Sequence, residues 1–430
     1  MMRTPLLFAL AVAGASHAAA PTNVDAALAK AKRAHQPLLL DFSAPWCYSC
    51  YFMETHVLNG TEWDALGRKA VVAAVDADSP DGAAWMKKLA VKALPAYVVL
   101  DENGQELGRI LAEQPRAKFY PMIDRIIAGS STLDALKQEA AGGSIEAVAA
   151  VLGAFQARDA GKDGLAWYGT LPAQVRAKAD KDQAVTLQRD RLDLSRARAQ
   201  DDHAGAIAAA RRVLAGDIGC DRPYVVDALL EASEKQPKAE RAALLQPQRA
   251  ALEAMLARDI YVATPACADQ RSAVVTTADV DAALGDAAAE KAVLDRAIAD
   301  ARRRLGGDYG KDRNLADNLR VYLARAHREA ELDALYPKLV AAWPDDYVYP
   351  YRFGRSLLER KRAAEALPWL EKAADKAYGE NRLGVALYRV KALKALGRRD
   401  DAKQVVAEVL EQNGQWFPEQ VAKLKAELAS

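Results

Sequence analysis

The sequence predicts two unlike parts: an α/β layer domain with a mixed central sheet flanked by helices over residues 22–128, and an all-α region of helical repeats over residues 144–430. Three observations lead there. Short apolar runs bounded by turn residues alternate with helical patterns in the first part. Strand signals then vanish, and alanine, arginine and leucine recur at helical spacing. At 430 residues the chain is also too long for a single core.

In the first part, residues 24–34 read as a helix with Asn23 as a possible cap, and Pro37 stops it before the buried strand 38–42. A short loop leads to Cys47, and residues 50–58 resume a helical pattern with Phe52, Met53 and Val57 available for a core face. A second strand at 71–75 and a short helix at 83–90 follow. Strands 97–100 and 107–110 flank Asn103-Gly104, whose backbone suits a tight hairpin. A helix at 116–127 closes the domain, and residues 129–143, opening on Gly129-Ser130-Ser131, read as a linker.

In the second part, the clearest internal repeat covers residues 347–410. Helices at 347–359 and 363–376 carry Gly354, Ala366, Leu370 and Ala373 at the small and apolar positions of a helix-turn-helix unit. The next unit, 382–410, places Ala402 where the first has Ala366. This pattern resembles tetratricopeptide repeats, with residues 203–214 as a weaker third match. The aromatic group Trp343, Tyr347, Tyr349, Tyr351 and Phe353 reads as repeat core or as the lining of a peptide groove.

The chemistry concentrates in Trp46-Cys47-Tyr48-Ser49-Cys50. Two cysteines separated by two residues at a strand-to-helix junction suit reversible disulfide exchange. The first sits where unpaired amides and the helix dipole favour thiolate over thiol, so Cys47 is expected to be an accessible attacking group. Cys50, one turn on, is placed to resolve the mixed disulfide. A zinc site would need more: no second such pair exists, and His35 and His56 lack zinc-finger spacing. No metal and no cofactor beyond this disulfide is expected. Asp76, Asp78 and Asp81-Gly82 fail the calcium-loop spacing and read as a solvated turn.

With Asp41 six residues before Cys47 and Leu94-Pro95 downstream, residues 22–128 resemble the thioredoxin superfamily. The resemblance implies that Asp41 is a buried carboxylic acid accepting the Cys50 proton, and that Pro95 is a cis-proline. It also implies that Trp46, Tyr48, Leu94 and Pro95 form the substrate surface. Gln36-Pro37 before the strand, Glu54-Thr55-His56-Val57-Leu58 and Asp101-Glu102-Asn103-Gly104 look closest to the C-terminal domain of membrane thiol:disulfide interchange reductases. In that group an acid stands seven positions after the first cysteine, as Glu54 does here, and with Asp41 it would hold the Cys47 pKa up. Tyr48 and Ser49 carry no positive charge, which favours a reductant or isomerase-like role. No transmembrane electron-delivering domain accompanies the motif, so electrons are expected from another protein.

Cys220 and Cys267, 47 positions apart, read as a structural disulfide, with free thiols or a second redox pair as the alternatives. Arg3, the apolar run that follows and Ser16 and Ala18 before Ala19 read as a secretory signal peptide over residues 1–18. A periplasmic protein without a membrane span is therefore expected. Lysine plus arginine number 59 against 58 acidic residues, which argues for neither nucleic acid nor an anionic membrane as partner. The expected partners are protein thiols and disulfides, an external electron donor or acceptor, and a peptide or protein on the repeats. The alternative is a scaffold in which the repeats carry the function and the first domain is a docking platform.

Overall fold

The structure, a computed structural model, describes residues 23–128 and 132–429. Residues 1–18, read from the sequence as a signal peptide, lie outside the described residues.

The first domain is built on β1 (Leu38–Ser43), β2 (Val71–Asp76), β3 (Ala96–Leu100) and β4 (Glu106–Leu111), in the sheet order β2-β1-β3-β4. β1 runs parallel to β2 and antiparallel to β3, and β3 pairs antiparallel with β4. The sheet is therefore mixed. Its helices are α1 (Val24–Ala34), α2 (Tyr48–His56), α3 (Gly60–Lys69), α4 (Pro80–Lys88) and α5 (Arg116–Ala128). Asn23 caps α1 by accepting from the Ala26 amide at 2.9 Å.

The two-residue period of a strand sorts β1 between two cores. Leu38, Leu40 and Phe42 face Val24, Ala31 and Trp85 of α1 and α4. Leu39 faces the other way, into a core with Met53, Leu66 and Phe119 of α2, α3 and α5. Asp41 falls by the same alternation on the α2 side, directly paired with Tyr97 of β3.

Two helix starts and one whole helix differ most from the sequence reading. Helix α2 begins at Tyr48, because Cys47 itself is the cap. Helix α4 begins at Pro80, after the Ser79 hydroxyl accepts from the Gly82 amide. Helix α3 was not anticipated: it holds two glycines, which disfavour a helix, buries only Leu66, and has no side-chain cap.

The stretch read as a linker contains helix Leu133–Ala141, capped by Thr132 and packed on helix Ile145–Gln156. From there to Ala429 the chain is helical, with most consecutive helices packed on one another. Helices Val348–Glu359 and Ala363–Ala374 approach so closely that a Cβ on Gly354 would lie 2.6 Å from Leu370 Cγ. Ala366, Leu370, Ala373 and Ala402 are all fully buried, as a packing cause for the repeat requires. Tyr347, Tyr349 and Phe353 are buried too, and Phe353 stacks on Tyr336. Among the described residues no helix is long and apolar enough to cross a membrane.

The helical region folds back on the first domain. Helix Arg313–Arg325 packs on α2, and the start of helix Gly379–Ala395 reaches the loop after β2. There the Glu380 amide donates to the Asp78 carbonyl at 3.1 Å. Gly379 allows that contact, since a Cβ would fall 2.1 Å from the same oxygen.

Candidate redox site

Cys47 occupies the N-cap of α2 and is bonded to Cys50, with an S–S distance of 2.05 Å. The Cys50 amide points at Cys47 Sγ from 3.1 Å, so the first turn of the helix directs a donor at that sulfur. Ala44, Ala77 and the half-buried Leu94 pack around the pair. The peptide between Leu94 and Pro95 is cis, and the Pro95 carbonyl accepts from the Ala112 amide at 3.0 Å.

Asp41, on β1, has Oδ1 sealed from solvent and without a hydrogen-bond partner. Burial pushes its pKa up to about 7, and the charge of Glu54 adds to the effect. Glu54 stands on the outer side of α2, with its own pKa raised by partial burial and pulled back by Arg313. The two acids singled out from the sequence therefore sit within electrostatic reach of one another.

The surroundings of the disulfide differ from the sequence reading in accessibility. Cys47 is 5 % exposed and Cys50 2 %. The residues flanking Cys47 are held by the helical region: Arg352 donates to the Trp46 carbonyl at 2.7 Å, and Asn314 Nδ2 to the Tyr48 carbonyl at 2.8 Å. The Arg271 guanidinium lies 3.6 Å from the centre of the Tyr48 ring, whose hydroxyl reaches Asp269 at 3.4 Å. Arg313 covers the ring of Tyr51 at 4.1 Å. Tyr48, expected on the substrate surface, is thus occupied within the chain. Trp46 remains 42 % exposed.

The turn at Asp78 is likewise not solvated. Asp78 is buried and accepts from Trp46 Nε1 and from Asn381 Nδ2, each at 2.8 Å. Burial raises its pKa to about 6, with the Asn381 hydrogen bond opposing. Glu113, after β4, is a third buried acid that sequence reading missed. Burial and then the charge of Asp269 push it to about 8, while Ser49 between the cysteines and Arg271 pull it down. No motif marks it.

Cys220 and Cys267 are bonded, joining the entry of helix Arg222–Ala232 to the loop before helix Gln270–Leu284. Cys267 borders a cavity of about 820 Å³ between the two parts, which Phe52, His56 and Tyr120 also line. Neither Cys47 nor Pro95 reaches it. Among the described residues no cluster of three or more histidines, cysteines or acids is arranged to hold a metal.

A mixed four-stranded sheet with a Cys-x-x-Cys pair at the cap of α2 defines the first part as a thioredoxin-like domain, and the family model of that description matches residues 24–127. The thiol:disulfide interchange protein DsbD of Klebsiella pneumoniae is 34 % identical over 86 residues, which are 20 % of this chain. The chain spans only 14 % of that relative's length. Among solved structures, the oxidised C-terminal domain of Neisseria meningitidis DsbD is 25 % identical, with 24 % of this chain and 91 % of that one covered and a TM-score of 0.22. The P58(IPK) TPR domain is 16 % identical, with 73 % and 84 % covered and a TM-score of 0.22.

Proposed function

We propose that the chain is a periplasmic thiol-disulfide oxidoreductase that reduces or reshuffles disulfides of other proteins through Cys47 and Cys50. The observation that carries this reading is the Cys47 sulfur at the cap of α2, bonded to Cys50 in a domain whose strand β1 carries an acid with a pKa of about 7. Similarity to a thiol:disulfide interchange protein supports it.

In the reducing direction, the Cys47 thiolate attacks one sulfur of the substrate disulfide, forming a mixed disulfide and releasing the other substrate sulfur as a thiolate. Cys50 then gives its proton to Asp41 and attacks Cys47. The Cys47–Cys50 bond forms, and the second substrate sulfur leaves. An acid with a pKa near 7 is matched to taking and returning that proton at neutral pH. Two electrons have passed to the substrate, and an external donor protein must return them.

The test is reduction of insulin by the full chain beside a Cys47→Ser variant, with activity expected only in the former. Cys50→Ala removes the resolving sulfur and is expected to leave Cys47 covalently bound to its substrate, identifiable by mass spectrometry. One observation favours the scaffold reading: the helical region holds the residues on both sides of Cys47. Wild-type protein that cannot reduce insulin, although its Cys47–Cys50 bond is reducible, would establish that second reading.

A further inference from the structure

Arginines of the helical region converge on the loop that carries Cys47, and one buried acid organises them. Asp317, on helix Arg313–Arg325, is completely buried. Its carboxylate accepts from Arg271 Nη2 at 2.6 Å, Arg352 Nη1 at 2.6 Å and Arg320 Nε at 2.7 Å. Burial alone would push its pKa up, but Arg320, Arg352 and Arg271 overcome this and hold it well below the usual carboxylate range.

Two of the three arginines reach onward to the first domain. Arg352 donates its other terminal nitrogen to the Trp46 carbonyl, which belongs to the peptide bond leading into Cys47. Arg271, fixed also by Asn318 at 2.8 Å, covers Tyr48, the residue immediately after Cys47. They come from different helices, Val348–Glu359 and Gln270–Leu284. Asp317 is the group they share.

Immediately around Asp317 positive charge is in excess. Three guanidinium groups surround the single carboxylate of Asp317, whereas Arg313, over Tyr51, is matched by Asp346. The acids facing the loop are Asp41, Glu54, Asp78, Glu113 and, through the Tyr48 hydroxyl, Asp269. At neutral pH burial keeps Glu113 mostly protonated and Asp41 partly so, which leaves the arginines less opposed, while Asp78, at about 6, stays largely ionised.

We propose that Arg271 and Arg352, held in place by Asp317, are positioning residues of the redox site that stabilise Cys47 as a thiolate and so make the Cys47–Cys50 disulfide easier to reduce. The inference rests on the oxidoreductase reading above. Reduction adds two electrons and one proton to the disulfide, giving a Cys47 thiolate and a Cys50 thiol. With glutathione as donor, two molecules form one glutathione disulfide and release two protons, of which Cys50 keeps one. Nearby cations lower the free energy of the thiolate and leave that of the uncharged disulfide almost unchanged, so they act on one side of this equilibrium. The positive charge that Tyr48 and Ser49 do not provide between the cysteines is supplied from the helical region.

The experiment uses the full chain with Arg271→Gln, Arg352→Gln, Arg271→Lys and Arg352→Lys. Two quantities are read: the pH at which the Cys47 thiolate absorbance appears in reduced protein, and the equilibrium constant with glutathione. Each Gln variant is expected to raise the Cys47 pKa by about one unit and to make reduction about tenfold less favourable, equivalent to about 30 mV for a two-electron couple. The Lys variants retain the charge and are expected to recover most of both. A Gln variant that folds by circular dichroism and changes neither quantity overturns the proposal, as does a Lys variant that shifts as far as its Gln counterpart. The two arginines lie on different helices, so if one Gln variant does not fold the other still reads the effect. Wild-type protein that never equilibrates with glutathione would instead defeat the oxidoreductase reading, and this inference with it.

Discussion

A carboxylic acid on a central strand is costly to ionise, and Asp41 on β1 bears that cost. Its pKa in the folded chain is about 7, against 3.8 for an exposed aspartate. Between those values the folded state holds more protons than the unfolded state, so Asp41 makes stability fall as pH rises from about 4 to about 7 and level off above. Asp41→Asn removes this dependence. The variant should match wild type in urea unfolding near pH 4 and exceed it above pH 7, by on the order of 2 to 4 kcal/mol; a gap that does not grow with pH would contradict the burial argument. The same variant should resolve mixed disulfides more slowly at neutral pH, since Cys50 loses its proton acceptor. Asp41 was legible in the sequence because three leucines precede it in a strand. Glu113 was not, because the charges that act on it, Asp269 and Arg271, stand more than 150 positions away in the chain.

At the scale of elements, the apolar patterns that packing requires were readable and the exceptions have local causes. Helix α1 has an asparagine whose side chain caps it and no glycine, whereas α3 holds Gly60 and Gly67 and Asn59 before it makes no capping bond. The repeat helices were legible through their small residues, and Gly354→Ala tests that reading. The added methyl group would meet Leu370, and overpacking of this kind costs roughly 1 to 3 kcal/mol, measurable by denaturant unfolding. A neutral result would mean the two helices have room to separate. Cys220 and Cys267 close a loop of 47 positions. The double Cys220→Ala, Cys267→Ala variant should lose about 3 to 4 kcal/mol, by the entropy that the bond removes from the unfolded chain. Insulin reduction by that variant should persist, unless the second pair takes part in electron transfer.

Across the whole molecule, the feature that sequence could not reveal is the closure of the helical region on the face carrying Cys47. Its contacts join Trp46 to Arg352, Tyr48 to Asn314 and Asp78 to Asn381, partners more than 260 positions apart that no local pattern connects. The buried disulfide implies discrimination by size. In the reduced folded protein a small alkylating reagent should modify Cys47 faster than a bulky maleimide, and urea should abolish the difference; equal rates without urea would mean that the face is open in solution. Most of all, the reading depends on Cys47 and Cys50 cycling while everything around them stays folded. The direct measurement equilibrates the full chain in glutathione buffers of graded potential, alkylates the free thiols, and maps them by peptide mass spectrometry while circular dichroism follows the fold. The expected result is one two-electron transition at Cys47–Cys50, with Cys220–Cys267 still bonded and the helical signal unchanged. Reduction of Cys47–Cys50 only when the protein unfolds would contradict it.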